Sequence, residues 1–301
     1  MKIIFLGTAG TLPTINRNLP SIAIKRKGEI LLFDCGEGTQ RQMLKAKLGY
    51  CNKIFITHMH GDHILGLPGL LQTMSLFQVG FPLKIFGPEG IAKFINDIIK
   101  IVKFKLTFPV IIKEISEGKV CKEKEYYIQA SWMDHTIPNL GYALIEYERP
   151  GKFYPEKAIS LGVPEGPLWF SLQHGNEVAL ANGKIISPRC IVGPPRKGRK
   201  IVYSGDTRPC EAISNLAKNA DLLIYDTTLD DKLTEKANKF GHSSPSQGAT
   251  IAKKANVKQL IMTHISGRYN NADLLIHQAQ NTFPNTEMAQ DLAEFKVLYP
   301  K

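Results

Sequence analysis

The sequence has little cysteine: Cys35, Cys51, Cys121, Cys190 and Cys210 are the only five in 301 residues. Their number is odd and no pair is spaced C-x-x-C, which argues against an all-thiolate structural zinc site. No disulfide framework emerges, so a reducing compartment, the cytoplasm, is expected. Long apolar runs are also missing. Nothing approaches the ~18 residues of a membrane span, so no membrane partner is expected. The opening "MKIIFLGTAG" carries one lysine and then four apolar residues. That is too short for a signal-peptide core and suits a first strand. Acidic residues are in deficit, with 27 Asp and Glu against 38 Lys and Arg, a net charge of +11. Such an excess concentrates phosphates at the protein, although a solvated basic face is the plainer alternative. With 43% hydrophobic residues the chain can bury a sizeable core.

Short apolar runs recur, each ending in a small or polar cluster. "EILLFDCGEGT" reaches Asp34, "KIFITHMHGDH" reaches His58 to His63, and "EYYIQASWMDH" reaches Asp134 and His135. "KIVYSGDTRP" reaches Asp206, "DLLIYDTTL" reaches Asp226, and "KQLIMTH" reaches His264. Such runs, rich in β-branched and aromatic residues, read as buried strands. Helical patterns lie between them at 38–49, 66–78, 90–102 and 244–256. The alternation predicts α/β layers. In both halves the strands deliver His or Asp at their ends, where α/β architectures commonly hold ligands. The stretch 148–183 breaks this pattern. It is dense in Pro and Gly and reads as a long excursion with one short helix at "PEKAISLG". Phe153, Tyr154, Leu168, Trp169 and Phe170 argue against simple disorder.

The motif "THMHGDH" crowds His58, His60, Asp62 and His63 into six positions. His58 and His60, two apart at a strand end, can leave on one side. Gly61 is expected to allow the tight turn that brings Asp62 and His63 round to join them. Imidazole and carboxylate without thiolate suit zinc, manganese or iron. His135, Asp206 and His264 also follow strands and supply further ligands. Seven groups are too many for one ion and enough for two, with one carboxylate bridging. Two cations make water a strong nucleophile at neutral pH and stabilise charge in an in-line displacement at phosphorus.

These residues resemble the signature of the metallo-β-lactamase superfamily. "FLGTAGTLPTINRNLPS", "FDCGEGTQRQML", "PPRKGRKIVYSGDTRP" and "GHSSPSQGA" narrow the resemblance to ribonuclease Z, the endonuclease that matures the 3′ end of transfer RNA, over essentially the whole chain. The resemblance implies one domain over 1–301 with a four-layer α/β/β/α sandwich. It also implies a protruding flexible arm, or exosite, at 148–183 that grips transfer RNA. Two Zn2+ per subunit are implied, with Mn2+ able to substitute. His58, His60 and His135 match the ligands of one zinc, Asp62, His63 and His264 those of the second, and Asp206 the bridge. Asp62 also matches the proton acceptor. A carboxylate on a cation is a poor base, yet its free oxygen can still orient water. His242 matches the group that protonates or stabilises the leaving oxygen, as a histidine titrating near neutrality can. Pro245 departs from many relatives but is tolerated in the first turn of a helix. The implied products are a 3′-hydroxyl on the transfer RNA and a 5′-phosphate on the trailer. A homodimer is implied as well.

Asp34 and Asp226 are read either as carboxylates that orient ligand imidazoles or as plain turn residues. His174, His277 and Cys35 read as ordinary residues. The basic clusters 25–27, Arg41 with Lys45 and Lys47, 196–200 and 253–254 suit a phosphate backbone. A small-molecule hydrolase of the same fold would need neither the arm nor these clusters. A non-catalytic RNA-binding protein would not need the complete ligand set.

Overall fold

The computed structural model describes residues 1–300. They divide into two compact units, Met1–Ile145 with Lys200–Leu298, and Glu146–Arg199 with the C-terminal residues from Tyr299.

The larger unit is built on two seven-stranded mixed sheets. The first runs, in spatial order, Glu294–Lys296, Lys2–Gly7, Ser21–Arg26, Glu29–Phe33, Lys53–Phe55, Leu83–Gly87 and Val110–Glu114. The second runs Thr286–Met288, Leu260–Thr263, Leu222–Asp226, Lys200–Tyr203, Asn139–Glu146, Tyr126–Met133 and Gly118–Lys122. Side-chain alternation explains how they stack. Ile3, Phe5, Leu31 and Phe33 meet Tyr142, Leu222 and Ile224 in the core between the sheets. Their neighbours Ile4, Leu6, Ile30 and Leu32 point the other way, into a core shared with Leu67–Leu76 and Ile91–Val102. Leu223 and Tyr225 do the same beneath Pro245–Lys254. Both faces of each sheet are therefore buried, which is why the strands read as continuous apolar runs. The result is the expected four-layer sandwich, helix on sheet on sheet on helix.

The predicted helices form at Thr39–Lys45, Leu67–Leu76, Ile91–Val102 and Pro245–Lys254. Pro245 takes the first helical turn behind a Ser244/Gln247 capping box, as tolerated there. Strand direction places the site. Glu29–Phe33 and Lys53–Phe55 pair in parallel, as do Lys200–Tyr203, Leu222–Asp226 and Leu260–Thr263. Residues following these strands consequently emerge on one edge of each sheet.

The smaller unit differs from the expected loop with a single helix. Besides Pro155–Ser160 it forms a second helix, Pro167–Gln173, and a hairpin of Val178–Ala179 with Ile185–Ile186. Leu172, Val178, Ile186 and Ile191 close with Ala158 and Val163 into a small core. Trp169 donates its indole N–H to Val163 O at 3.2 Å. Leu168, Trp169 and Phe170 thus belong to a helix that the Pro and Gly content concealed. At the base of this unit Arg199 makes a two-pronged pair with Glu146, Nε to Oε2 and Nη2 to Oε1, both 2.8 Å. Arg149 and Arg199 lie over the Tyr299 ring at 3.4 and 3.8 Å.

Two basic clusters are corrected by these contacts. Arg199 is buried and spent on Glu146. Arg26 is buried against Glu125 at 2.7 Å. Neither side chain is free to meet a phosphate. No helix among the described residues is long and apolar enough to cross a membrane.

Candidate active site

All eight predicted site residues converge on one edge of the sandwich. His58, His60 and His135 form one group. His58 Nε2 lies 3.0 Å and His135 Nε2 3.2 Å from His60 Nδ1. Bonds of ~2.0 Å from a tetrahedral zinc would set ligand nitrogens roughly 3.3 Å apart. Asp62, His63, Asp206 and His264 form a second group. Asp206 Oδ2 lies 3.3 Å from His63 Nε2, 3.2 Å from His264 Nε2 and 3.7 Å from His58 Nε2. It therefore touches both groups, as a bridging carboxylate must. Asp62 Oδ2 stands 3.6 Å from both His63 Nε2 and His264 Nε2 and accepts the Thr11 N–H at 3.1 Å.

The cradle fits divalent metal. His63 Nε2, His264 Nε2 and Asp206 Oδ1 are buried without a hydrogen-bond partner. Buried polar atoms are rarely left so, and all three belong to residues of the second group. Electrostatics agree. Burial pushes the His58 imidazole well below its ordinary value, and the His63 charge acts in the same sense. Burial opposes charge on His63 and His264 too, but the carboxylates around them together outweigh it, Asp206 and Asp34 at His63 and Asp206, Asp226 and Asp62 at His264, raising both, His264 to about 10. Burial likewise opposes ionisation of Asp206, yet His264 and His63 hold it well below the carboxylate range. A cation bound there would take the place of those protons.

The outer nitrogens are held by a second set of groups. Asp34 sits in the left-handed region, φ 57°, just past its strand. Its Oδ2 accepts the His63 Nδ1–H at 2.7 Å and the Tyr203 hydroxyl at 2.9 Å. Thr57 donates its hydroxyl to Asp34 at 3.0 Å and accepts from His58 Nδ1 at 2.9 Å. Asp226 repeats this plan. Its Oδ2 accepts from His242 Nδ1 at 2.8 Å, and its Oδ1 accepts the Thr228 hydroxyl at 2.6 Å. Thr228 in turn meets His264 Nδ1 at 2.8 Å. Both aspartates therefore orient imidazoles rather than serve as plain turn residues. His135 is fixed by backbone instead, its Nδ1 donating to Gly241 O at 2.8 Å. Gly241 has φ 81°, and a Cβ there would lie 2.5 Å from His135 Nδ1, so only glycine fits.

Gly61 corrects the sequence reading. It lies inside the short helix Gly61–Ile64 and is not among the glycines with positive φ. The turn comes from helix initiation after the extended His60, which carries Asp62 and His63 inward. The left-handed residue that matters is His264 itself, φ 61°. His174 and His277 are exposed and lie outside the clusters, and Cys35 is buried with its thiol pushed up chiefly by burial. Thr57, Thr228, Tyr203 and Gly241 were not singled out from the sequence, nor were Lys236, Phe240 and Arg268. Those last three line a cavity of about 680 Å³ over Asp62, His135 and His242.

A family model described as a beta-lactamase superfamily domain matches residues 171–265, and one described as anti-Pycsar protein Apyc1 matches residues 1–98. The ribonuclease Z of Methanosarcina mazei is 46% identical over 303 residues, 99% of each chain. That of Brevibacillus brevis is 41% identical over 308 residues, 99% of this chain and 97% of its own. The crystal structure of human tRNase Z, short form, superposes with a TM-score of 0.75 at 28% identity, covering 99% of this chain and all of that one. With a catalytic edge of this composition and full-length similarity of this degree, the chain belongs to the ribonuclease Z family, hydrolytic endoribonucleases of the metallo-β-lactamase fold.

Proposed function

We propose that this protein removes the 3′ trailer from precursor transfer RNA, leaving a 3′-hydroxyl on the transfer RNA and a 5′-phosphate on the trailer. The observation that carries the reading is that similarity to the Methanosarcina mazei ribonuclease Z spans 99% of this chain, the unit at 146–199 included. A small-molecule hydrolase would have no use for that unit. In this reading it is the arm that holds the folded RNA, and a homodimer working in the cytoplasm completes the enzyme.

His58, His60 and His135 would hold one zinc ion, and Asp62, His63 and His264 a second, with Asp206 shared; manganese would substitute. Such a pair supplies Lewis acidity and an activated water at neutral pH. The remaining work belongs to the chain. The Thr11 N–H fixes Asp62 Oδ2, which leaves Oδ1 to orient water for in-line attack and take its proton. His242 is held through Nδ1 by Asp226, so Nε2 is the atom that meets the leaving 3′-oxygen and gives it a proton. The cavity over these groups is lined by Lys236 and Arg268, which offset phosphate charge.

The test is incubation with one end-labelled precursor transfer RNA, followed by mapping of both product ends. A single cut before the trailer with the stated ends supports the reading. Binding without cleavage in added zinc or manganese contradicts it.

A further inference from the structure

We infer that Phe240 is a base-stacking platform at the point of cleavage, binding the base of the nucleotide whose 3′-oxygen leaves. This rests on the ribonuclease reading above. Phe240 is 53% exposed and lines the catalytic cavity. Single exposed apolar side chains are common on protein surfaces, but this one is set in a rigid frame. Asn238 O accepts from Arg208 Nε, Gly241 O accepts from His135 Nδ1, and His242 Nδ1 donates to Asp226. The ring is thus one residue from a carbonyl that orients His135 and two from the proposed proton donor. Lys236, one helical turn earlier, and Arg268 line the same cavity.

An exposed aromatic ring with cations beside it is how proteins bind unpaired nucleotides, because every base has a face that stacks. The side of the cut follows from His242. If its Nε2 serves the leaving 3′-oxygen, the nucleotide bearing that oxygen lies nearest to residues 240–242. Its base then falls on Phe240, while Lys236 and Arg268 take neighbouring phosphates. Because stacking tolerates any base, the platform fixes the position of the strand without demanding one sequence.

The test places 2-aminopurine, which loses fluorescence on stacking, at the nucleotide preceding the cut in a precursor transfer RNA. With chelator present to prevent turnover, wild type and Phe240→Trp should quench the probe and Phe240→Ala should not. In turnover with divalent metal, Phe240→Ala should lower kcat/KM by roughly 5- to 150-fold, the range for loss of one base–aromatic stack. With an abasic residue at that nucleotide, wild type and Phe240→Ala should cleave equally. Equal losses on natural and abasic precursors would overturn the proposal, and so would quenching only from a probe on the trailer side. Failure of the ribonuclease reading is distinct: wild type would then cut neither precursor, while the fluorescence would still report whether Phe240 stacks the base.

Discussion

Asp34 and Asp226 hold equivalent places in the two halves of the site. Each closes a strand, each is fully buried, and each accepts from one imidazole directly and from a second through a threonine hydroxyl. They differ in what the direct bond holds. Asp34 grips His63, whose other nitrogen is buried and unpartnered among the metal-site residues. Asp226 grips His242, whose ring lines the open cavity beside Lys236, Phe240 and Arg268. In the proposed mechanism one arrangement of carboxylate, threonine and histidine would serve ligand orientation on one side and proton delivery on the other. Its local geometry does not separate the two uses; what the far nitrogen faces does.

The largest effect should come from the residue common to both sides. Asp206→Ala removes the oxygen that approaches His58, His63 and His264. Loss of several kcal/mol of charge stabilisation should lower cleavage by more than ~1,000-fold, with metal content reduced as measured by plasma mass spectrometry. Next is His242→Ala. It should slow single-turnover cleavage by ~100- to ~10,000-fold while metal content stays at the wild-type level. A stripped metal in that variant would merge the two roles that the comparison separates.

Gly241→Ala tests the link between the halves. A Cβ would press on His135 Nδ1, and φ 81° disfavours any side chain. Metal affinity, read by competition with a chromogenic chelator, should fall by about 10-fold or more, and the backbone strain should cost ~1–3 kcal/mol in denaturant unfolding. The smallest effects belong to the relays. Thr57→Val and Thr228→Val each delete hydroxyl bonds to an imidazole, worth about 1 kcal/mol apiece. Both should weaken metal binding by less than ~10-fold. A much larger loss from one of them would show that the relays are not equivalent.

Much of this was legible in the sequence because the information is local. His58, His60, Asp62 and His63 are neighbours in the chain, and His135, Asp206 and His264 are marked by the apolar runs before them. The order of strands and helices pointed only to mixed α/β, and the four layers came from the family resemblance; that Leu31 and Leu32 face opposite cores was hidden in a continuous apolar run. Pairing across distance was not legible. "KRK" does not reveal that Arg26 meets Glu125, nor "RKGRK" that Arg199 meets Glu146. Thr57 adjoins His58, which was a usable signal, whereas Thr228 reaches His264 across 36 residues. Gly61 misled because glycine permits many conformations, and here an ordinary helical one is used.

The division of labour between the two aspartates is tested most directly by counting zinc per chain in Asp34→Asn and Asp226→Asn beside wild type, after dialysis against limiting zinc. Asparagine keeps one acceptor oxygen but cannot accept on both sides. The account predicts two ions in wild type and in Asp226→Asn, with fewer in Asp34→Asn as affinity falls by about 10- to 100-fold. Equal loss of zinc in both variants, or loss only in Asp226→Asn, would contradict it.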